Sequence, residues 1–170
     1  MRNAAFSLIE LLIVCAILLL LSALAIPRLS FFDQSLVESE LDTLFMTFSF
    51  LQQKAIATNQ IQKLTFDETA HCYRYAGHGA TARTYQLPPQ VRFGFPPGAK
   101  GPPAHPRERI SQAITFPKKL VEFHPNGVIS AGTAYLTNRT HSCGVGLTTS
   151  IAQVTYVRKY MWNATQWSVR

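Results

Sequence analysis

Between Phe6 and Ile26 the chain carries one charged side chain, Glu10, in an almost unbroken apolar run that Pro27 closes. At about 1.5 Å per residue the run makes roughly 31 Å of helix, the thickness of a bilayer core. That length predicts a membrane-spanning helix and fixes how the rest of the chain can begin. A carboxylate inside such a segment costs about 2.5–3.5 kcal/mol on insertion scales, so Glu10 calls for a partner.

The leader Met1-Arg2-Asn3-Ala4-Ala5 holds one positive charge and ends in small residues. An ordinary secretory signal places its small residues after the apolar core, not before it. A signal removed near Ala25 would also need a shorter core than this one. An uncleaved single-pass anchor accounts for the hydrophobicity but leaves Glu10 unexplained. Cleavage between Ala5 and Phe6 would make Glu10 the fifth mature residue. The run Ala5-Phe6-Ser7-Leu8-Ile9-Glu10-Leu11, with Pro27 downstream, resembles the class III signal of type IV pilins and type II secretion pseudopilins. Ala5 stands where that family usually has Gly. The resemblance implies cleavage by a prepilin peptidase and N-methylation at Ala5 and Phe6, with assembly roles for Glu10 and Pro27. A cleaved chain starts with a free ammonium on Phe6, which Glu10 of a neighbouring subunit can neutralise. Such a pair adds little net stability, but it fixes register between helices.

Past Pro27 the helical pattern resumes. Leu36, Leu41, Leu44, Phe45, Phe48, Leu51 and Ala55 recur at helical spacing, with Glu38, Asp42 and Gln53 read as the opposite face. One long helix is therefore expected from Phe6 to about Thr58, kinked near Pro27, with Asn59 as its stop. From Ile61 the period changes to short strands: Ile61–Asp67, Cys72–Tyr75, Thr84–Leu87, Leu120–Phe123, Val128–Ile129, Ala134–Thr137, Gln153–Val157 and Gln166–Val169. His124-Pro125-Asn126-Gly127 reads as a turn. Seven of the ten prolines fall in 88–106, which reads as a mobile Pro/Gly-rich surface loop. The expected fold class is α+β, a kinked N-terminal helix on an antiparallel sheet. The expected divisions are a leader 1–5, a membrane and polymerisation helix 6–27, its amphipathic continuation 28–60 and a strand-rich head 61–170. This order resembles the pilin fold. Val121–Gly127 followed by Gly132–Leu136 resembles the GspH/FimT group of minor pseudopilins.

The net charge of +7 is unevenly spread. Residues 29–68 hold six acids against Lys54 and Lys63, whereas 69–170 hold twelve Lys and Arg against Glu108 and Glu122. The asymmetry points to an acidic partner or a nucleic acid for the C-terminal part. The basic candidates for DNA are Arg92, Lys100, Arg107, Arg109, Arg139, Arg158, Lys159 and Arg170. Phosphate neutralisation by such residues would be sequence-independent and salt-sensitive. Tyr156, Tyr160, Trp162 and Trp167 could stack on bases, though aromatics alternating along strands also build cores.

Cys15 reads as a packing residue of the apolar helix. Cys72 and Cys143 either pair in an oxidising compartment or remain two buried thiols, and their spacing does not choose. His71-Cys72 and His141-Ser142-Cys143 lack zinc-ligand spacing, so no metal is expected. No nucleophile elbow, phosphate loop or metalloprotease motif appears, and the chain reads as neither an enzyme nor a cofactor carrier. Two functions remain. One is a minor pilin or pseudopilin acting near the tip of a filament in secretion or pilus biogenesis. The other is a minor pilin that captures DNA for uptake. The partners implied are prepilin peptidase, other pilin or pseudopilin subunits, the inner-membrane assembly machinery and, in the second case, DNA. The leader would be cytoplasmic and the head outside the cytoplasmic membrane.

Overall fold

A computed structural model describes residues 8–76, 82–101, 107–149 and 156–170, with side chains left undescribed over 22–31 and at 76. The element order is α1 (Leu8–Thr58), then β1 (Gln62–Asp67), β2 (Cys72–Ala76), β3 (Ala82–Gln86), β4 (Val91–Phe93), β5 (Leu120–Phe123), β6 (Gly132–Asn138), β7 (Gly144–Thr149), β8 (Val157–Trp162) and β9 (Trp167–Val169). The helix packs on antiparallel sheets in an α+β, pilin-like arrangement. The chain divides into two units, Met1–Ser35 and Leu36–Arg170.

Within the second unit, Val37, Leu41, Leu44, Phe48, Leu51 and Ala55 are all buried. Their alternating steps of four and three residues keep one stripe of the helix facing inward. Val37 takes the core position expected of Leu36, which is only partly buried alongside Phe45. The stop at Asn59 occurs as expected. Asn59 adopts φ 50°, its N–H reaches Ile56 O, and Gln60 N–H reaches back to Ala55 O. These two bonds form a Schellman cap, which satisfies the last carbonyls of the helix.

The strands form two sheets rather than one, ordered β3-β2-β1-β5 and β4-β6-β7-β8-β9. The first presents Leu64, Phe66, Tyr73, Val121 and Phe123 to the helix, all buried. The second contributes Val91, Phe93, Ala134, Leu136, Val145 and Leu147 to the same core. Phe48 lies at the meeting point, with ring centroids 5.2 Å from Phe123, 6.1 Å from Phe116 and 6.4 Å from Phe66. Gly132 lies against the Phe116 ring, whose Cδ1 would be 2.4 Å from an added Cβ, so a side chain there would displace the ring.

Two strand expectations are corrected, and a third strand appears where none was expected. Val128–Ile129 gives only an isolated bridge from Ile129 to Phe123. The strand expected at Gln153–Val157 starts at Val157 and runs to Trp162, with 153–155 outside the described residues. Gly144–Thr149 is a central strand that its glycines hide from a propensity reading. The turn 124–127 forms as read, with Gly127 at φ 82° and its N–H on His124 O.

The Pro/Gly-rich segment differs most from its expectation as a mobile surface loop. It begins with β4 and then leaves the edge of β6 at Gly94, whose N–H meets Tyr135 O. The chain returns at Ala113, whose carbonyl accepts from Tyr135 N–H. Between these points its described residues lie on the outer face of the five-stranded sheet. Phe95 meets Tyr135 edge-on at 6.4 Å, Pro96 fills the space above Gly144, and Ala99 is buried. Lys100 O accepts from Trp167 Nε1 at 2.8 Å. The cause is the outer face itself: Tyr135, Tyr160, Trp162 and Trp167 form a second apolar surface, which Phe95 and Pro96 help to cover, the proline at little entropic cost. Residues 102–106 lie outside the described residues.

Candidate assembly helix and basic face

Glu10 lies on α1 close to the first described residue, Leu8. Around it, Leu8, Ile9, Leu11, Leu12, Ile13 and Val14 are exposed, from 52% to 79%. The exposure continues through Leu21. An apolar surface this continuous marks contact with a partner or a membrane rather than with water. Among the described residues no helix is long and apolar enough to cross a membrane. The expected span 6–27 has described side chains only from Leu8 to Leu21. Ala5 and Phe6 lie outside the described residues, and Pro27 lies within α1 with its side chain undescribed.

The eight basic candidates separate into distinct groups. Lys159 Nζ lies 2.9 Å from Asp42 Oδ1 and 5.1 Å from the Phe45 ring centroid. Arg170 pairs with Glu38 at 2.5 Å. Glu38 and Asp42 are therefore inter-element contacts of the helix, not its solvent face. Much of the charge asymmetry is met inside the molecule, as Lys119–Glu68 and Arg74–Asp67 further show. The remaining candidates differ. Arg92 lies opposite Thr137, alternating with buried Val91 and Phe93, and so projects to the outer face. Arg158 lies opposite Thr148, is exposed and has its guanidinium 6.0 Å from the Tyr156 ring. Lys100 and Arg109 face each other in an isolated bridge on the excursion across that same face. Arg107 and Arg139 are exposed on the excursion and on the β6–β7 turn.

Cys72 is buried on β2 and Cys143 precedes β7 on the other sheet, and no disulfide joins them. No cluster of three or more His, Cys, Asp or Glu side chains that could hold a metal occurs among the described residues.

Burial pushes the Tyr135 hydroxyl up to about 12 and raises Tyr73 further still. Burial and the bond from Tyr85 Oη to the Glu40 carboxylate, at 2.9 Å, also raise Tyr85. A raised folded value means that the unfolded chain loses its proton first. Stability from these groups is therefore full below about pH 10 and is lost as pH climbs towards their folded values. Urea midpoints measured from pH 9 to 12 are expected to fall steadily, and less steeply for Tyr135→Phe.

Residues 1–26 match the family described as the prokaryotic N-terminal methylation motif. The chain has a prepilin N terminus. No curated protein and no solved structure matches it significantly. The prepilin motif implies processing by prepilin peptidase and assembly with pilin-type subunits. A class III signal of this kind marks a membrane-anchored precursor, and proteins of the pilin family are structural rather than enzymatic. The match covers the leader, Glu10 and the exposed apolar stretch of α1, and ends before Pro27. Sequence reasoning missed Tyr135 with its facing glycine, Gly146, whose added Cβ would lie 3.2 Å from the ring. Glycines at alternate positions, Gly144 and Gly146, were the available signal, because they leave room for bulky groups on one face of a strand.

Proposed function

We propose that this chain is a minor pilin or pseudopilin of the GspH/FimT type, a structural subunit and not an enzyme. It is cut between Ala5 and Phe6, methylated on Phe6, and assembled near the tip of a short filament that serves secretion or pilus biogenesis. The observation that carries this reading is the continuity of the methylation motif with α1, whose residues from Val37 onward are the core of the sheet domain. One helix thus supplies both an exposed apolar polymerisation stretch and the spine of the head. In this reading residues 6–27 hold the chain in the inner membrane until assembly, and Pro27 adjusts the helix between its two uses. Intact mass and N-terminal sequencing of membrane-purified protein test it. A chain starting at methylated Phe6 is expected only in cells that have prepilin peptidase. A chain retaining Met1 in both backgrounds would reduce the protein to an anchored domain.

A second reading, DNA capture, is favoured by Arg92, Arg158, Lys100 and Arg109 sharing the outer side of the five-stranded sheet. Arg158→Ala is expected to weaken duplex binding and flatten its salt dependence by about one phosphate contact. Lys159→Ala should instead lower stability by about 1 kcal/mol with little effect on binding, because its charge is committed to Asp42. Salt-titrated anisotropy and urea melts separate the two. Equal effects of both substitutions on binding would sink this assignment.

A further inference from the structure

Around Ile114 the chain pairs with the N-terminal half of β6 through a single bridge set between bends at Ala113 and Phe116. Thr115 N–H donates to Thr133 O at 2.9 Å, and Tyr135 N–H donates to Ala113 O at 2.8 Å. These bonds flank the bridge between Ile114 and Ala134, which makes that pair a non-hydrogen-bonded one. Each of the two residues turns its own backbone groups away from the other. Those of Ala134 point towards β7, its neighbour on the other side. Those of Ile114 point off the sheet edge, where no described residue pairs with them. Ile114 is only 2% exposed, so water compensates poorly.

Next to them, the Phe116 carbonyl is already taken by Lys119 N–H at 2.9 Å. A cavity of about 330 Å³ lies along this edge, and its lining includes Gln112, Ile114 and Phe116. Lys118 and Lys119 close one end. Lys119 is neutralised by Glu68, whereas Lys118 is exposed with no carboxylate partner among the described residues. A second cavity of about 250 Å³ shares Gln112 and opens on the outer face beside Arg109, Thr115 and Tyr135. Tyr135 is 1% exposed, and its hydroxyl, with the Thr133 side chain beside it, makes no hydrogen bond of normal geometry among the described residues. Glu108, on the same rim, is already engaged within the chain.

We propose that this edge accepts an extended acidic segment of a partner polypeptide as an added strand. One carboxylate side chain of that segment occupies the outer-face cavity, against Arg109 and the Tyr135 hydroxyl. Backbone pairing supplies the affinity, and the alternate side chains read the cavity, as in other strand additions. The charge is set by Arg109 and Lys118, exposed cations that no carboxylate pairs among the described residues and that line one cavity each. A charge-assisted bond to a carboxylate also satisfies a buried hydroxyl that water does not reach.

The test uses the full chain in detergent micelles and a labelled peptide of about seven residues alternating Glu and Val, long enough for one strand. Saturable binding by anisotropy is expected. The same peptide N-methylated at alternate residues, and its Lys-for-Glu analogue, should each bind at least about tenfold more weakly. Gln112→Pro removes the N–H of a residue that lines both cavities and leaves the bonds of Ala113 O and Thr115 N–H to β6 intact, so it should weaken binding without changing the melting midpoint. Arg109→Glu should weaken it further. Absence of saturable binding, equal binding of the N-methylated peptide, or equal binding of the Lys analogue would each overturn the proposal. The two peptide comparisons use the unsubstituted chain, so they decide the matter even if Gln112→Pro fails to fold.

Discussion

A Phe48→Ala chain is expected to lose about 3–5 kcal/mol of stability, the range for emptying an aromatic site in a packed core. Phe48 has no exposed surface and touches Phe66 and Phe123 from one sheet and Phe116 from the segment that crosses to the other. Removing the ring therefore opens a hole where the helix and both sheets meet, and no single neighbour can close it. A domain of this size has about 5–15 kcal/mol in total, so the variant should sit near its unfolding threshold. Urea denaturation followed by the fluorescence of Trp162 and Trp167 measures the loss. Phe50→Ala is the control. Phe50 lies two residues along the helix, is 46% exposed, and should shift the midpoint by less than about 0.5 kcal/mol. Equal losses from both would show that Phe48 is not the keystone of this core.

Glu10→Ala is expected to leave cleavage at Ala5–Phe6 intact while removing the chain from sheared filaments. In the proposed assembly, the Phe6 ammonium of one subunit lies against Glu10 of the next, inside an apolar helix bundle. Breaking a pair of that kind leaves one buried charge without compensation and costs about 3–5 kcal/mol, roughly a hundredfold to several thousandfold in subunit affinity. Quantifying the chain in filament and membrane fractions, with its N-terminal mass, separates processing from assembly. Wild-type incorporation of the Glu10→Ala chain would remove Glu10 from the assembly mechanism.

The helical stripe was legible in the sequence because a single period of 3.6 residues carries it, and one misplaced position, Leu36 for Val37, leaves the stripe unchanged. Asn59 was legible because few residues tolerate a left-handed backbone. β4 and β7 were not legible, for different reasons. Val91-Arg92-Phe93 is three residues long among prolines, too short for alternation to rise above its surroundings. Gly144–Thr149 reads as a weak strand until Tyr135 and Pro96 are seen filling the space over its glycines. The acidic residues of the helix were taken for a solvent face, because sequence alone does not show that Lys159 and Arg170 return to meet them.

By itself, the sequence determined the prepilin N terminus, the long helix and the α+β class. Each depends on local order: a cleavage motif, a helical period, a change of period after Asn59. The tertiary structure alone decided which charges are spent internally, which prolines cover an aromatic face and which backbone edge stays open. Those outcomes depend on contacts between residues as far apart as Glu38 and Arg170, and nothing in the local pattern at either end specifies the other.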